Sequence, residues 1–113
     1  MARIRVKAGP VEVLVELNAS KTAETILAAL PIESRARTWG DEVYFETPVA
    51  AGAEAPQAEV PFGTAAYWPP GRALCLFFGQ TPASPVNVVG SVVGDAGVLR
   101  RVRGGDPVRV EKA

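Results

Sequence analysis

RIRVKAGPVEVLVEL, residues 3–17, alternates apolar and polar side chains on both sides of Gly9-Pro10. Successive side chains of an extended chain point to opposite faces, so Ile4 and Val6 share one face of a first strand, and Val13, Val15 and Leu17 share one face of a second. A two-residue turn at Gly9-Pro10 fixes the register: Lys7 opposite Glu12, Arg3 opposite Glu16, Val6 opposite Val13 and Ile4 opposite Val15. Charge meets charge on one face and apolar meets apolar on the other. The stretch therefore predicts an antiparallel hairpin laid against a core.

Outward from the hairpin, NASKTAETILAALP (18–31) changes period. Ser20 can cap a helix, Glu24 suits its positive end, Ala23, Ile26, Leu27 and Leu30 form one apolar stripe, and Pro31 stops it. Period two returns in IESRARTWGDEVYFET (32–47) around Gly40-Asp41. That register sets Arg35 opposite Glu46, Ala36 opposite Phe45 and Arg37 opposite Tyr44, which gives Arg35 an ionic partner and leaves Arg37 without one. TPVAAGAEAPQAEVPFGT (47–64) carries three prolines and no sustained period, so it reads as a long loop or a pair of short edge pieces, and as the candidate lid. Beyond it, AYWPPGRALCLFFGQTP (66–82) turns at Trp68-Pro69-Pro70-Gly71 before an apolar strand. PVNVVGSVV follows as a strand, DAGVLRRV as a short helical turn and PVRVEK as a closing strand.

Composition narrows the function. A chain of 113 residues forms one domain, residues 1–113, able to bury roughly two-thirds of its unfolded surface. Twelve basic residues balance twelve acidic ones, so no net field draws it to nucleic acid or an anionic membrane, and both are excluded as expected partners. No apolar run approaches the roughly 20 residues that span a bilayer, and MARIRVKAG is charged where a signal peptide needs apolar residues, so the expected location is cytoplasmic. The single cysteine, Cys75, sits inside ALCLFF and reads as a buried, inert thiol. There is no histidine, which removes nucleophile–imidazole pairs and histidine-bearing zinc sites. No cofactor or metal motif is present, and Asp41, Glu42, Glu46, Glu54 and Glu59 read as a solvated acidic edge. Arg100, Arg101 and Arg103 form the one basic cluster, read as solvated charges at a helical C-terminus.

Seven or eight short strands with one helix predict a closed antiparallel β-barrel rather than an open sheet with several exposed edges. Three segments resemble the cyclophilins in order: VLVELNASKTAETILAAL their opening strand and helix, GTAAYWPPGRALCLFFG their later strand pair, and PVNVVGSVVGDAGVLRRV the strand and helical turn after it. GDEVYF and AYWPPG…LFFG resemble the short bacterial and archaeal cyclophilin-like proteins in particular. The resemblance implies a mainly β, cyclophilin-like barrel with one main helix and a short C-terminal helical turn. Cyclophilins are peptidyl-prolyl isomerases, and their catalytic arginine corresponds to Arg37 or Arg35. By the same resemblance, Leu74 stands where the family has a glutamine that holds the peptide backbone, and Leu76 where it has a pocket phenylalanine. The family's pocket tryptophan and histidine have no counterpart, since QTPASP is short and contains neither. Most of the isomerase equipment is therefore missing.

All eight aromatic residues lie between positions 39 and 78. Neighbours on a strand face opposite ways, so part of this set turns outward. The candidate site is an amphipathic groove formed by Arg37, Tyr44, Phe62 and Trp68, with Leu74 and Leu76 at its base. Asn87 either bonds backbone across strands or points into this cleft. Three functions stay open: binding of a small apolar or peptide ligand without efficient isomerase activity, weak isomerisation through Arg37, and a structural module whose aromatic face pairs with a second copy. The protein is expected to be a monomer or a homodimer, and to need no cofactor.

Overall fold

The opening hairpin forms as its alternation requires. In a computed structural model that describes residues 2–79, 82 and 84–113, β1 (Arg3–Ala8) and β2 (Val11–Leu17) pair in the expected register. Gly9 turns the chain with φ of 55°, a conformation open to a residue without Cβ. Ile4, Val6, Val13, Val15 and Leu17 are buried, while Arg3 and Glu16 make an exposed ion pair of 3.2 Å. Lys7 lies across from Glu12 but reaches Glu111 at 3.4 Å. Helix α1 (Lys21–Ala28) starts at Ser20, whose Oγ accepts the Ala23 N–H at 3.1 Å. Ala23 and Ile26 are buried, and Leu27 and Leu30 pack against the same core.

Residues 32–39, expected as one strand, are two. β3 (Ile32–Arg35) pairs with β9 (Pro107–Lys112), whereas β4 (Arg37–Trp39) pairs with β5 (Glu42–Glu46). Ala36 is the corner: its N–H donates to Asp106 O and its carbonyl accepts from Gly105 N–H, both at 2.8 Å. With β6 (Thr64–Trp68), β7 (Ala73–Phe77) and β8 (Asn87–Val93), the described residues form one antiparallel sheet in the order β3-β9-β1-β2-β8-β6-β7-β5-β4. Its two outermost strands are consecutive in the chain and meet at Ala36, so the sheet curls into the expected barrel and leaves no long bare edge. A 3-10 helix over Ala96–Arg101 supplies the short C-terminal helical turn.

The break at Ala36 exchanges the expected partners of two arginines. Arg35 stands across from Pro107, and its guanidinium donates to Gly105 O at 3.1 Å. Glu46 is met instead by Arg37, at 3.9 Å.

Phe45, Tyr67, Leu74, Leu76 and Val89 fill the barrel interior together with the inward face of the opening hairpin. Residues 47–63 form a strap whose Val49 joins the main core and whose Val60 covers the outer face of the wall, and polar side chains anchor it. Tyr67 Oη donates to Val49 O at 2.5 Å and accepts Ala51 N–H at 3.3 Å. Asn87, 1% exposed, accepts Glu54 N–H at 2.8 Å and donates to Gly52 O at 2.9 Å and Thr22 Oγ1 at 3.2 Å. It thus serves neither a cross-strand bond nor a cleft. The Glu54 carboxylate caps α1 from outside, accepting the Lys21 and Thr22 N–H groups at 3.0 and 2.8 Å and the Thr22 hydroxyl at 2.6 Å. The Thr22 hydroxyl, followed by the two backbone donors, holds that carboxyl below its usual range. The candidate lid is a fastened strap.

Candidate functional site

Period two sorts the wall formed by β5, β7 and β6. Val43, Phe45, Leu74, Leu76, Ala65 and Tyr67 point into the barrel; Glu42, Tyr44, Ala73, Cys75, Phe77, Ala66 and Trp68 take the opposite face. On that outer face Ala66, Ala73, Cys75 and Phe77 are buried beneath Val60 of the strap and Val86, forming a second, smaller core. Two backbone bonds between Gln57 and Val86, of 2.8 and 3.0 Å, fasten the strap to the segment entering β8.

Beside this core a pocket of about 140 Å³ opens to solvent, lined by Trp39, Glu42, Tyr44, Trp68, Cys75, Pro82, Ser84 and Val86. The side chains from β4, β5, β6 and β7 arrive there by register. Trp39 lies across from Glu42 in the β4–β5 ladder, and Tyr44 lies across from Cys75 in the β5–β7 ladder. Trp68 ends β6, where two prolines cannot extend the ladder and instead form a 3-10 turn over Pro69–Gly71. Its ring lies over Gly71, where an added methyl would come within 2.6 Å of the indole, and its Nε1 donates to Ser84 Oγ at 2.7 Å. The ring is therefore clamped on two sides while it faces the pocket.

The expected site residues divide. Tyr44 and Trp68 line the pocket together. Arg37 is directly across from Tyr44, but its guanidinium is well exposed beside Glu46 and is not part of the lining. Phe62 stands 58% exposed on the strap, apart from the pocket. Leu74 and Leu76, expected at the base of the groove, are fully buried in the barrel interior. One residue of offset on a strand reverses the face, and Cys75 between them forms the base instead. Trp39 and Glu42 were missed, although the register that sets Arg37 opposite Tyr44 also sets Trp39 opposite Glu42 on the same face. Gln80, Thr81 and Ala83 of QTPASP lie outside the described residues.

Glu42 belongs to no solvated edge: it is 8% exposed, and burial pushes its carboxyl up to about 7. Burial, followed by the charge of Glu42, also raises the Cys75 thiol, which is therefore protonated and a poor nucleophile. Among the described residues no cation pairs with Glu42, since Arg37 reaches Glu46 and Arg100 reaches Asp41 at 3.4 Å. Arg100 also stacks over Phe78, 5.1 Å from the ring centre. A second hollow of about 350 Å³ lies between the start of α1 and the strap. Three of its polar side chains are already engaged: Ser20 and Glu54 cap α1, and Asn18 donates to Val88 O at 2.8 Å. Among the described residues, no group of three or more carboxylates and cysteines could hold a metal ion, and no helix is long and apolar enough to cross a membrane.

The sequence profile of the cyclophilin-like family matches residues 2–111. The chain belongs to the cyclophilin-like family. This cyclophilin-like protein is similar to the hypothetical protein AF2241 from Archaeoglobus fulgidus, whose solution structure has a TM-score of 0.85 with it at 42% identity, covering 99% of this chain and 95% of that one. It is also similar to McbB, solved in complex with tryptophan, with a TM-score of 0.78 at 20% identity, covering 96% of this chain and 44% of McbB. The second likeness establishes a shared fold only. No protein with a curated description matches the cyclophilin-like chain.

Proposed function

We propose that this cyclophilin-like barrel is a binding protein that takes a small, ring-sized ligand in the outer-face pocket and does not efficiently accelerate prolyl isomerisation. The supporting observation is the pocket itself: Tyr44, Trp68 and Trp39 surround an apolar base at Cys75 and Val86. Its volume of about 140 Å³ is close to that of a cavity that holds one benzene ring. Prolyl isomerisation calls for a pocket that grips the proline ring and a fixed donor that stabilises the twisted amide, across a barrier of about 18–20 kcal/mol. Arg37, the residue that the family resemblance would assign to that task, lies exposed beside Glu46 and is not among the lining residues. The two leucines at the family's substrate-holding positions face inward.

The chain has two tryptophans, and both line the pocket, so intrinsic fluorescence reads out occupancy there. Titration with phenol and X-Pro dipeptides followed by protein emission, and calorimetric titration with indole and free tryptophan, which themselves fluoresce, are expected to saturate, with an affinity that Trp68→Leu weakens. Tryptophan is included because a protein of this fold holds it. X-Pro isomerisation that rises in proportion to protein concentration and disappears in Arg37→Ala would replace this reading with that of an isomerase.

A further inference from the structure

Building on that binding reading, we propose that the pocket selects an organic cation, a protonated or quaternary amine whose charged nitrogen meets the Glu42 carboxylate between the rings of Trp39, Tyr44 and Trp68.

The argument begins with unspent charge. Glu42 is nearly buried among aromatic and thiol neighbours, and the nearby cations are committed elsewhere, Arg37 to Glu46 and Arg100 to Asp41. A buried carboxylate without a counter-ion is costly, and the cost falls when a cation arrives. The rings supply the second attraction. An aromatic ring carries a negative π face, and a cation within about 6 Å of such a face is stabilised, more so where water is excluded; three rings line this pocket. Trp39 is 52% exposed and flanks Glu42 across the β4–β5 ladder, so this indole stands free at the pocket mouth. Trp68 is held in place by Gly71 and Ser84.

The same arrangement disfavours other ligands. Above about pH 7 a neutral apolar body would bury the Glu42 carboxylate more deeply with nothing to offset its charge, and an anion would meet a carboxylate. The volume accommodates one ring or one trimethylammonium group. The other titratable or charged groups around Glu42 are Cys75 and Tyr44, which face the same pocket, and Arg37, Glu46 and Asp41 on or beside the adjoining strands, the last three in the ion pairs already described. Cys75 is protonated, so Glu42 is the group through which pH acts on the cation.

Fluorescence titration of the full chain with benzyltrimethylammonium, benzylammonium, benzyl alcohol and benzoate tests this. At pH 8 the two cations are expected to bind at least tenfold more tightly than benzyl alcohol, and benzoate least tightly. The preference of benzyltrimethylammonium over benzyl alcohol should shrink severalfold by pH 5.5, where Glu42 is protonated. Glu42→Gln should remove that preference, and Trp39→Leu, at an exposed position, should weaken the cations severalfold. Equal affinity for cation and alcohol, or a preference that survives Glu42→Gln, overturns the cation proposal and leaves the pocket intact. If no probe of any charge alters the emission, the binding reading falls with it.

Discussion

Replacing Asn87 by alanine tests the joint on which strap, helix and barrel wall converge. The amide accepts from Glu54 N–H and donates to Gly52 O and Thr22 Oγ1 at 2.8, 2.9 and 3.2 Å, from a side chain 1% exposed. Alanine removes all three bonds and leaves a small void. Gly52 is exposed, so water can replace that partner, and the Thr22 hydroxyl keeps its bond to the Glu54 carboxylate, which leaves the half-buried Glu54 N–H without a partner. With about 1–3 kcal/mol for a buried group left unsatisfied, the expected loss is about 1–3 kcal/mol. For a chain of this size that lowers Tm by roughly 4–12 °C. Urea unfolding should show the midpoint falling while the slope holds, and hydrogen exchange should show the Glu54 amide losing protection first. The strap also braces Val86 through Gln57, so ligand-induced fluorescence changes should weaken too. A loss below about 0.5 kcal/mol, with Glu54 still protected, would refute the claim that Asn87 fastens the strap.

Three further outcomes follow from the same contacts. Leu74→Ala should cost about 2–5 kcal/mol in urea unfolding and leave probe affinity unchanged wherever the chain stays folded, because Leu74 faces the barrel interior. Glu42 holds its proton more tightly in the folded chain than in the unfolded one, so its contribution is fully present below about pH 4 and is lost as pH rises through about 7. Glu42→Gln should therefore gain stability over wild type across that window, by up to about 3 kcal/mol at pH 8, measured as the difference between their unfolding curves. Gly90→Ala should destabilise the barrel by about 1–3 kcal/mol, read as a lower Tm, because its methyl would meet the Glu16 carbonyl and Leu17 Cα of β2, which are backbone and cannot turn aside.

Local rules made the opening hairpin, the capped helix and the closing strand legible, because each is specified by neighbours in sequence. Alternation gives the face, Gly9 gives the turn, and Ser20 gives the start of α1. The same rule, carried one residue out of phase, set Leu74 and Leu76 in the groove. An uninterrupted apolar run such as ALCLFF has no polar residue to mark which face is outward. Tyr44 and Trp68 were readable as outward rings, and Trp39 and Glu42 were readable from the hairpin register. Pro82, Ser84 and Val86 were not, since they approach from a segment far along the chain.

The amino-acid sequence alone determined a mainly β chain closing as an antiparallel barrel, because period, turns and caps act between residues a few positions apart, and its resemblance to the cyclophilins implied which barrel. Tertiary structure decided where the strand breaks at Ala36, that the proline-rich segment is a fastened strap, and that Glu42 is buried with no counter-ion among the described residues. Each of these depends on which distant backbone or side chain arrives beside it: Asp106 and Gly105 at the corner, Asn87 and Thr22 under the strap, and the rings of three strands around one carboxyl. Desolvation and hydrogen bonding between such distant groups exist only once the sheet has curled.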